Sequence, residues 1–161
     1  AEHRGSLILC GQVGRGKTAW GTGHFNDLVI ERVGKNENWG RHRCPIWVTE
    51  AALFRKAESA SREGYHGRAI YLSSLIRAPI LFLDDLGGNR RSLTDWQGGA
   101  MRDLFSERHS SMRPTLITTN LERWEDLEKR YGDHIVSRLI EDCGVMVRMH
   151  GPDRRRRAKA Q

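Results

Sequence analysis

The chain has 161 residues, of which 38% are hydrophobic and 29% charged, and its formal net charge is +7. This length suits one domain with a buried core, and without any apolar run near about 20 residues a membrane-spanning helix is excluded. The widely spaced Cys10, Cys44 and Cys143 form no C-x-x-C pair, which excludes a disulfide framework or zinc site and favours a cytoplasmic protein.

In the first half of the chain, short apolar runs alternate with segments whose apolar residues have the spacing of a helix. A strand is predicted at residues 6–10, and a glycine-rich turn leads from it into a helix. A polar surface loop is predicted at residues 31–43 because periodicity is lost there. A second strand at residues 45–49 precedes a helix that begins near Ala51 and is interrupted by Gly64.

The second half continues the same alternation. A helix at residues 68–77 leads to a buried strand at 80–83, and a helix at 94–109 with Thr94 as N-cap precedes a strand at 115–119. The remaining elements are two short helices and a strand, at residues 123–131, 134–142 and 145–149. This order predicts a three-layer α/β fold around a mainly parallel five-stranded sheet.

The strongest motif is GQVGRGKT at residues 11–18, which fits G-x-x-x-x-G-K-[ST] between a predicted strand and a predicted helix. Main-chain amides in such a loop bind phosphate oxygens; Lys17 would bridge the β and γ phosphates of ATP, and Thr18 would offer its hydroxyl to Mg²⁺. The alternative is a glycine-rich turn without a ligand. The residues predicted to bind the nucleotide are Gly11, Gln12, Val13, Gly14, Arg15, Gly16, Lys17, Thr18 and Ala19.

Polar residues follow two of the predicted strands. Asp84 and Asp85 end the segment ILFLDDLG, and ligands of open α/β sheets bind at such strand ends. Asp84 is predicted to hold Mg²⁺ and Asp85 to act as a general base on the attacking water. Asn120 ends the segment TLITTN and is predicted to reach the γ phosphate or position the water, although a turn-forming Asn is the simpler alternative.

Arg138 lies in the segment SRL, where a guanidinium could serve as an arginine finger to a neighbouring subunit or could simply be solvated. The order GQVGRGKT, ILFLDDLG, TLITTN and SRL resembles the AAA+ ATPases of the DnaC/IstB helicase-loader group. The resemblance implies an AAA+ core at residues 1–150, followed by a basic tail at 151–161. A C-terminal helical lid is not expected, because too few residues follow Met149. Within the tail, Arg155 falls near where relatives carry a second phosphate-sensing arginine, although Pro152 and Asp153 depart from the usual residues there.

The resemblance also implies a function, although the sequence leaves alternative functions open. Members of the group form homo-oligomers with ATP at subunit interfaces and act on single-stranded DNA, a replicative helicase or a transposase. Because residues 84–87 also fit D-x-x-G, a GTPase is one rival, but Asn120 is followed by Leu121 rather than by the N-K-x-D pattern. A small-molecule kinase and a nucleotide-gated DNA-binding or adaptor module with little turnover are the others.

Overall fold

A computed structural model of the chain describes residues 6–35, 44–64, 66–89 and 91–153. The tail from residue 154 onward, and with it the prediction for Arg155, lies outside this part of the chain. The strands are β1 (Leu7–Cys10), β2 (Ile46–Thr49), β3 (Leu81–Leu86), β4 (Thr115–Thr119) and β5 (Met146–Arg148). The helices are α1 (Lys17–Gly34), α2 (Glu50–Glu63), α3 (Gly67–Arg77), α4 (Asp95–Ser110), α5 (Trp124–Tyr131) and α6 (Asp133–Cys143).

The five strands of the described residues form one sheet in the order β2-β3-β4-β1-β5, and every neighbouring pair is parallel. The predicted α/β fold with a parallel five-stranded sheet is thus confirmed. All five residues of β4 are buried, because helices cover both faces of a central parallel strand. The carboxyl ends of β1, β3 and β4 meet at one edge of the sheet, which is the edge that carries the polar motifs.

Helices pack on both faces of the sheet, as a three-layer fold requires. Leu81 and Leu83 point into a core shared with residues of α2, α3, α4, α5 and α6. Phe82 points to the opposite face, where its ring lies 6.0 Å from the ring of Phe25 in α1. A Cβ on Gly21 would lie 2.7 Å from Phe82 Cζ, so the glycine allows α1 to approach the sheet closely.

Two predicted boundaries are wrong. Helix α1 continues to Gly34, although a surface loop was expected from residue 31, because the polar residues there form the solvent-exposed side of its last turn. Lys35 Nζ lies 2.5 Å from Glu31 Oε1, which is i,i+4 spacing. Strand β3 extends past residue 83 to Leu86, because the hydroxyl of Thr119 donates to the carbonyl of Leu86 at 2.7 Å and prolongs the contact with β4.

A buried arginine of α4 joins the C-terminal end of α3 to the start of β4. Arg108 is only 1% exposed, and its guanidinium donates to the carbonyl oxygens of Leu75 and Ala78 at 2.9 and 2.7 Å. It also donates to Thr115 Oγ1 at 2.9 Å. The acceptors at the C-terminal end of α3 replace the water that the cation loses on burial. In the part of the chain that the structure describes, no helix combines the length and apolar character of a bilayer span.

Candidate nucleotide-binding site

Residues 11–18, here called the phosphate loop, connect β1 to the first turn of α1. Gly14 and Gly16 have φ values of 82° and 86°, a left-handed conformation that residues with a Cβ rarely adopt. These turns curl the main chain at the N-terminus of α1, where unpaired amides and the helix dipole favour an anion. The loop therefore has the local geometry of a phosphate site, as the motif predicts.

Lys17 is the first residue of α1 and is only 8% exposed. Its Nζ donates to the carbonyl oxygens of Gly11 and Gln12 at 2.7 and 3.0 Å and to Asn120 Oδ1 at 2.8 Å. Burial lowers the pKa of Lys17, and the carboxylates of Asp85 and Asp84 oppose that shift. The ammonium group is thus held at the mouth of the phosphate loop, next to the end of β4.

Asp84 and Thr18 form a donor pair suited to Mg²⁺. Asp84 is 5% exposed, and its Oδ1 accepts hydrogen bonds from Thr18 Oγ1 at 3.0 Å and from the hydroxyl of Thr118. In nucleotide sites, Mg²⁺ usually takes one or two protein oxygens together with phosphate oxygens and water. A hydroxyl and a carboxylate side by side, facing the phosphate loop, fit that requirement.

Asp85 is held in an unusual conformation beside Asp84. Its φ of 55° lies in the left-handed region that is uncommon for residues other than glycine. The amide of Asp85 donates to Thr118 Oγ1 at 2.9 Å, and its Oδ1 accepts from Asn120 Nδ2 at 3.0 Å. Thr118 was missed by sequence reasoning, although a threonine inside the apolar run of β4 was a signal that a hydroxyl is needed there.

A second group missed by sequence reasoning supports the turn after Asp85. Glu50 is 2% exposed, and its carboxylate accepts from the amide of Gly87 at 2.9 Å and from the Tyr131 hydroxyl at 2.8 Å. Arg130 lies 3.4 Å from the same carboxylate and donates to the carbonyl of Arg91 at 2.9 Å. Burial and the neighbouring Glu50 raise the pKa of Tyr131, which keeps its hydroxyl a donor.

Most of the predicted residues surround a cavity of about 750 Å³. Its lining consists of Val13, Gly14, Gly16, Lys17, Thr18, Ala19, Thr49, Asp84, Asp85, Gly88, Thr118 and Asn120. Gly11 contributes through its carbonyl contact with Lys17, whereas Gln12 and Arg15 line a smaller neighbouring cavity of about 190 Å³. The larger cavity falls within the size range of ligand pockets, and its polar groups converge on one side.

Arg138 is not brought to this cavity. It lies on α6, where its guanidinium is 3.5 Å from the carboxylate of Glu141 and its side chain is 36% exposed. Glu141 also lies 3.2 Å from His109 Nε2, so it has a second basic neighbour. The position fits the prediction that Arg138 would act on a site other than the one in its own chain, but it does not test that prediction.

No protein-family model matches the chain. An uncharacterized protein of Bacillus subtilis (strain 168), YqaM, is 27% identical over 153 residues, which are 91% of this chain but 44% of that protein. The chain therefore spans less than half the length of the curated relative that it matches.

Solved structures show the same fold. A DnaC helicase loader matches 92% of this chain and 80% of its own, with a TM-score of 0.66 and 23% identity. DnaI matches 92% of this chain and 72% of its own, with a TM-score of 0.65 and 20% identity. AMPPCP-bound DnaA from Aquifex aeolicus matches 94% of this chain and 44% of its own, with a TM-score of 0.68 and 16% identity. The chain has the AAA+ P-loop fold that the sequence resemblance predicts.

Proposed function

We propose that the chain is an ATP-binding and ATP-hydrolysing AAA+ domain of a DnaC-like helicase loader or an IstB-like transposition ATPase. One observation carries this proposal. The phosphate-loop lysine, the pair Thr18 and Asp84, and the pair Asp85 and Asn120 come together around one cavity. The lysine supplies a cation for the phosphates, the first pair supplies oxygen ligands for Mg²⁺, and the second pair supplies a base and a group to orient water. Phosphoryl transfer from a nucleoside triphosphate requires these functions.

In the proposed reaction, Lys17 exchanges its carbonyl contacts for the β and γ phosphates. Thr18 and Asp84 would hold Mg²⁺, which neutralises charge on the phosphate oxygens when it is bound. Asp85 accepts a proton from a water that Asn120 orients toward the γ phosphorus. The water oxygen forms a bond to the γ phosphorus while the bond between the γ phosphorus and the oxygen that bridges it to the β phosphate breaks. ADP leaves with the bonding electron pair on that oxygen, and the water oxygen becomes part of inorganic phosphate.

The proposed partners are a second copy of the chain, single-stranded DNA and a replicative helicase or transposase. The match to 80% of the chain of a DnaC helicase loader supports a helicase as the proposed partner. A replication initiator, DnaA, has been solved with AMPPCP and single-stranded DNA, which supports these ligands for the fold. In the proposed assembly, Arg138 of one copy would reach the γ phosphate bound to its neighbour, because a finger stabilises charge in the transition state.

Calorimetric titration with Mg-ATP and a phosphate-release assay test the proposal. We expect Lys17→Ala to abolish measurable turnover and to weaken ATP binding at least about tenfold, whereas Lys56→Ala, at an exposed position of α2, changes neither. ATP binding that survives Lys17→Ala unchanged would refute the proposed site. A strong preference for GTP would favour the GTPase instead.

Adding single-stranded DNA separates a working ATPase from a nucleotide-gated adaptor. Asp85 has a shorter side chain than the Glu often found as the base, and its Oδ1 already bonds to Asn120, so turnover by an isolated copy is expected to be slow. Stimulation by DNA or by higher protein concentration would support the ATPase. Tight ATP binding with no turnover under any of these conditions would support the adaptor.

A further inference from the structure

The segment that follows β5, residues 149–153, lies against the phosphate loop at Gly11 and at Gly14. The Met149 amide donates to the Cys10 carbonyl at 2.8 Å, and a Cβ on Gly11 would lie 2.7 Å from the Met149 carbonyl oxygen. Four residues later in the segment, Asp153 reaches Gly14. A Cβ on Gly14 would lie only 2.0 Å from Asp153 Oδ1 and 2.4 Å from its Cγ.

This contact places a carboxylate directly on a residue that lines the nucleotide cavity. Gly14 has the left-handed conformation that turns the phosphate loop, and amides of such loops bind anions. Phosphate and carboxylate groups are both negatively charged, and like charges this close in a partly buried site repel each other. Asp153 is half-buried, so water screens that repulsion only in part.

We propose that Asp153 acts as a built-in competing anion, which lowers the affinity of the site for nucleoside polyphosphates and speeds their release. Phosphates bound by the loop would lie close to this carboxylate, and the repulsion between them would cost free energy. The inference rests on the proposed nucleotide site and names a residue that sets its affinity.

The test compares Asp153→Asn with Asp103→Asn, which removes the same charge from an exposed position of α4. Calorimetry would measure binding of ATP, ADP and adenosine to both variants and to the unchanged protein. We expect Asp153→Asn to bind ATP and ADP about tenfold more tightly, with adenosine unaffected and with a difference that shrinks as salt is raised. Dissociation of a fluorescent ADP analogue should slow by a similar factor.

The outcomes are distinct. Unchanged or weaker ATP binding by Asp153→Asn, in a protein whose unchanged form binds ATP, would overturn the inference and leave the proposed function intact. An equal gain in Asp103→Asn would also overturn it, because net charge would then be the cause. Failure of all three folded proteins to bind ATP would overturn the proposed function together with the inference. A gain confined to Asp153→Asn, in affinity for phosphates but not for adenosine, would support it.

Discussion

Lys17 Nζ donates a hydrogen bond of 2.8 Å to Oδ1 of Asn120, which lies 103 residues further along the chain. The amide nitrogen of the same Asn120 side chain donates to Asp85 at 3.0 Å. One carboxamide therefore joins the lysine that is proposed to bind phosphate to the proposed general base. An amide group offers both an acceptor, which suits the ammonium group of Lys17, and a donor, which suits the carboxylate of Asp85.

We expect Asn120→Ala to lower kcat for ATP at least about tenfold, because Asp85 and the water lose their orienting partner. ATP affinity should change by less than about threefold, since Lys17 and the main-chain amides of the phosphate loop, which would bind the phosphates, are unchanged. Steady-state phosphate release and calorimetry measure the two quantities. Asn89→Ala, in the loop after β3, is the matched control and should leave both unchanged; a loss confined to ATP affinity would contradict the bridging role.

Arg138→Ala should abolish the rise of specific activity with protein concentration while ATP affinity stays the same. An arginine finger contributes a factor of about 10³ to 10⁵ to turnover, and Arg138, which does not line the cavity of its own chain, would have to act on a neighbouring copy. Activity measured across a dilution series tests this, with Arg102→Ala at an exposed position of α4 as the control. Concentration-dependent activity that persists in Arg138→Ala would remove the residue from the mechanism.

Glu50→Ala should destabilise the fold by about 3 kcal/mol or more, because it leaves Arg130 without its buried carboxylate partner and the Gly87 amide without an acceptor. Turnover at temperatures where the variant is folded should also fall, since the turn after Asp85 loses its anchor. Denaturant unfolding and phosphate release measure the two effects. Tyr131→Phe removes a neighbouring hydroxyl but keeps the Gly87 contact, so it should retain most of the turnover; equal losses in both variants would indicate a purely structural role.

The free energy of unfolding should fall as pH rises from 9.0 toward about 12, in part because of Cys143. Burial raises the pKa of this thiol to about 12 from its ordinary 9.0, and nearby Asp142 adds to the shift. In this window the unfolded chain loses the proton and the folded chain keeps it, so stability drops by about 1 kcal/mol per pH unit. Cys143→Ala should flatten that slope in denaturant titrations, whereas Cys44→Ala, at an exposed cysteine, should not.

Local signals in the sequence were sufficient for much of the site. The phosphate loop could be predicted because its glycines, Lys17 and Thr18 are contiguous, and Asp84 and Asn120 because each follows an apolar run. Glu50 could not be predicted, since its role depends on Gly87 and Tyr131, 37 and 81 residues away. The same holds for Thr118, whose hydroxyl acquires two partners only when β4 pairs with β3. Contacts across the sheet are set by strand order, which a linear pattern does not encode.

The candidate site is built on the inner strands of the sheet, which are expected to unfold after the edge strands. Strands β1, β3 and β4 occupy the interior of the sheet, whereas β2 and β5 form its two margins. Fraying at a margin can break the hydrogen bonds of β2 or β5 without parting the three inner strands, so amide hydrogen exchange in β2 and β5 should be faster than in the strands that carry the candidate site. A bound nucleotide would thus protect amides throughout the inner strands, and its free energy of binding would add to the stability of the domain as a whole.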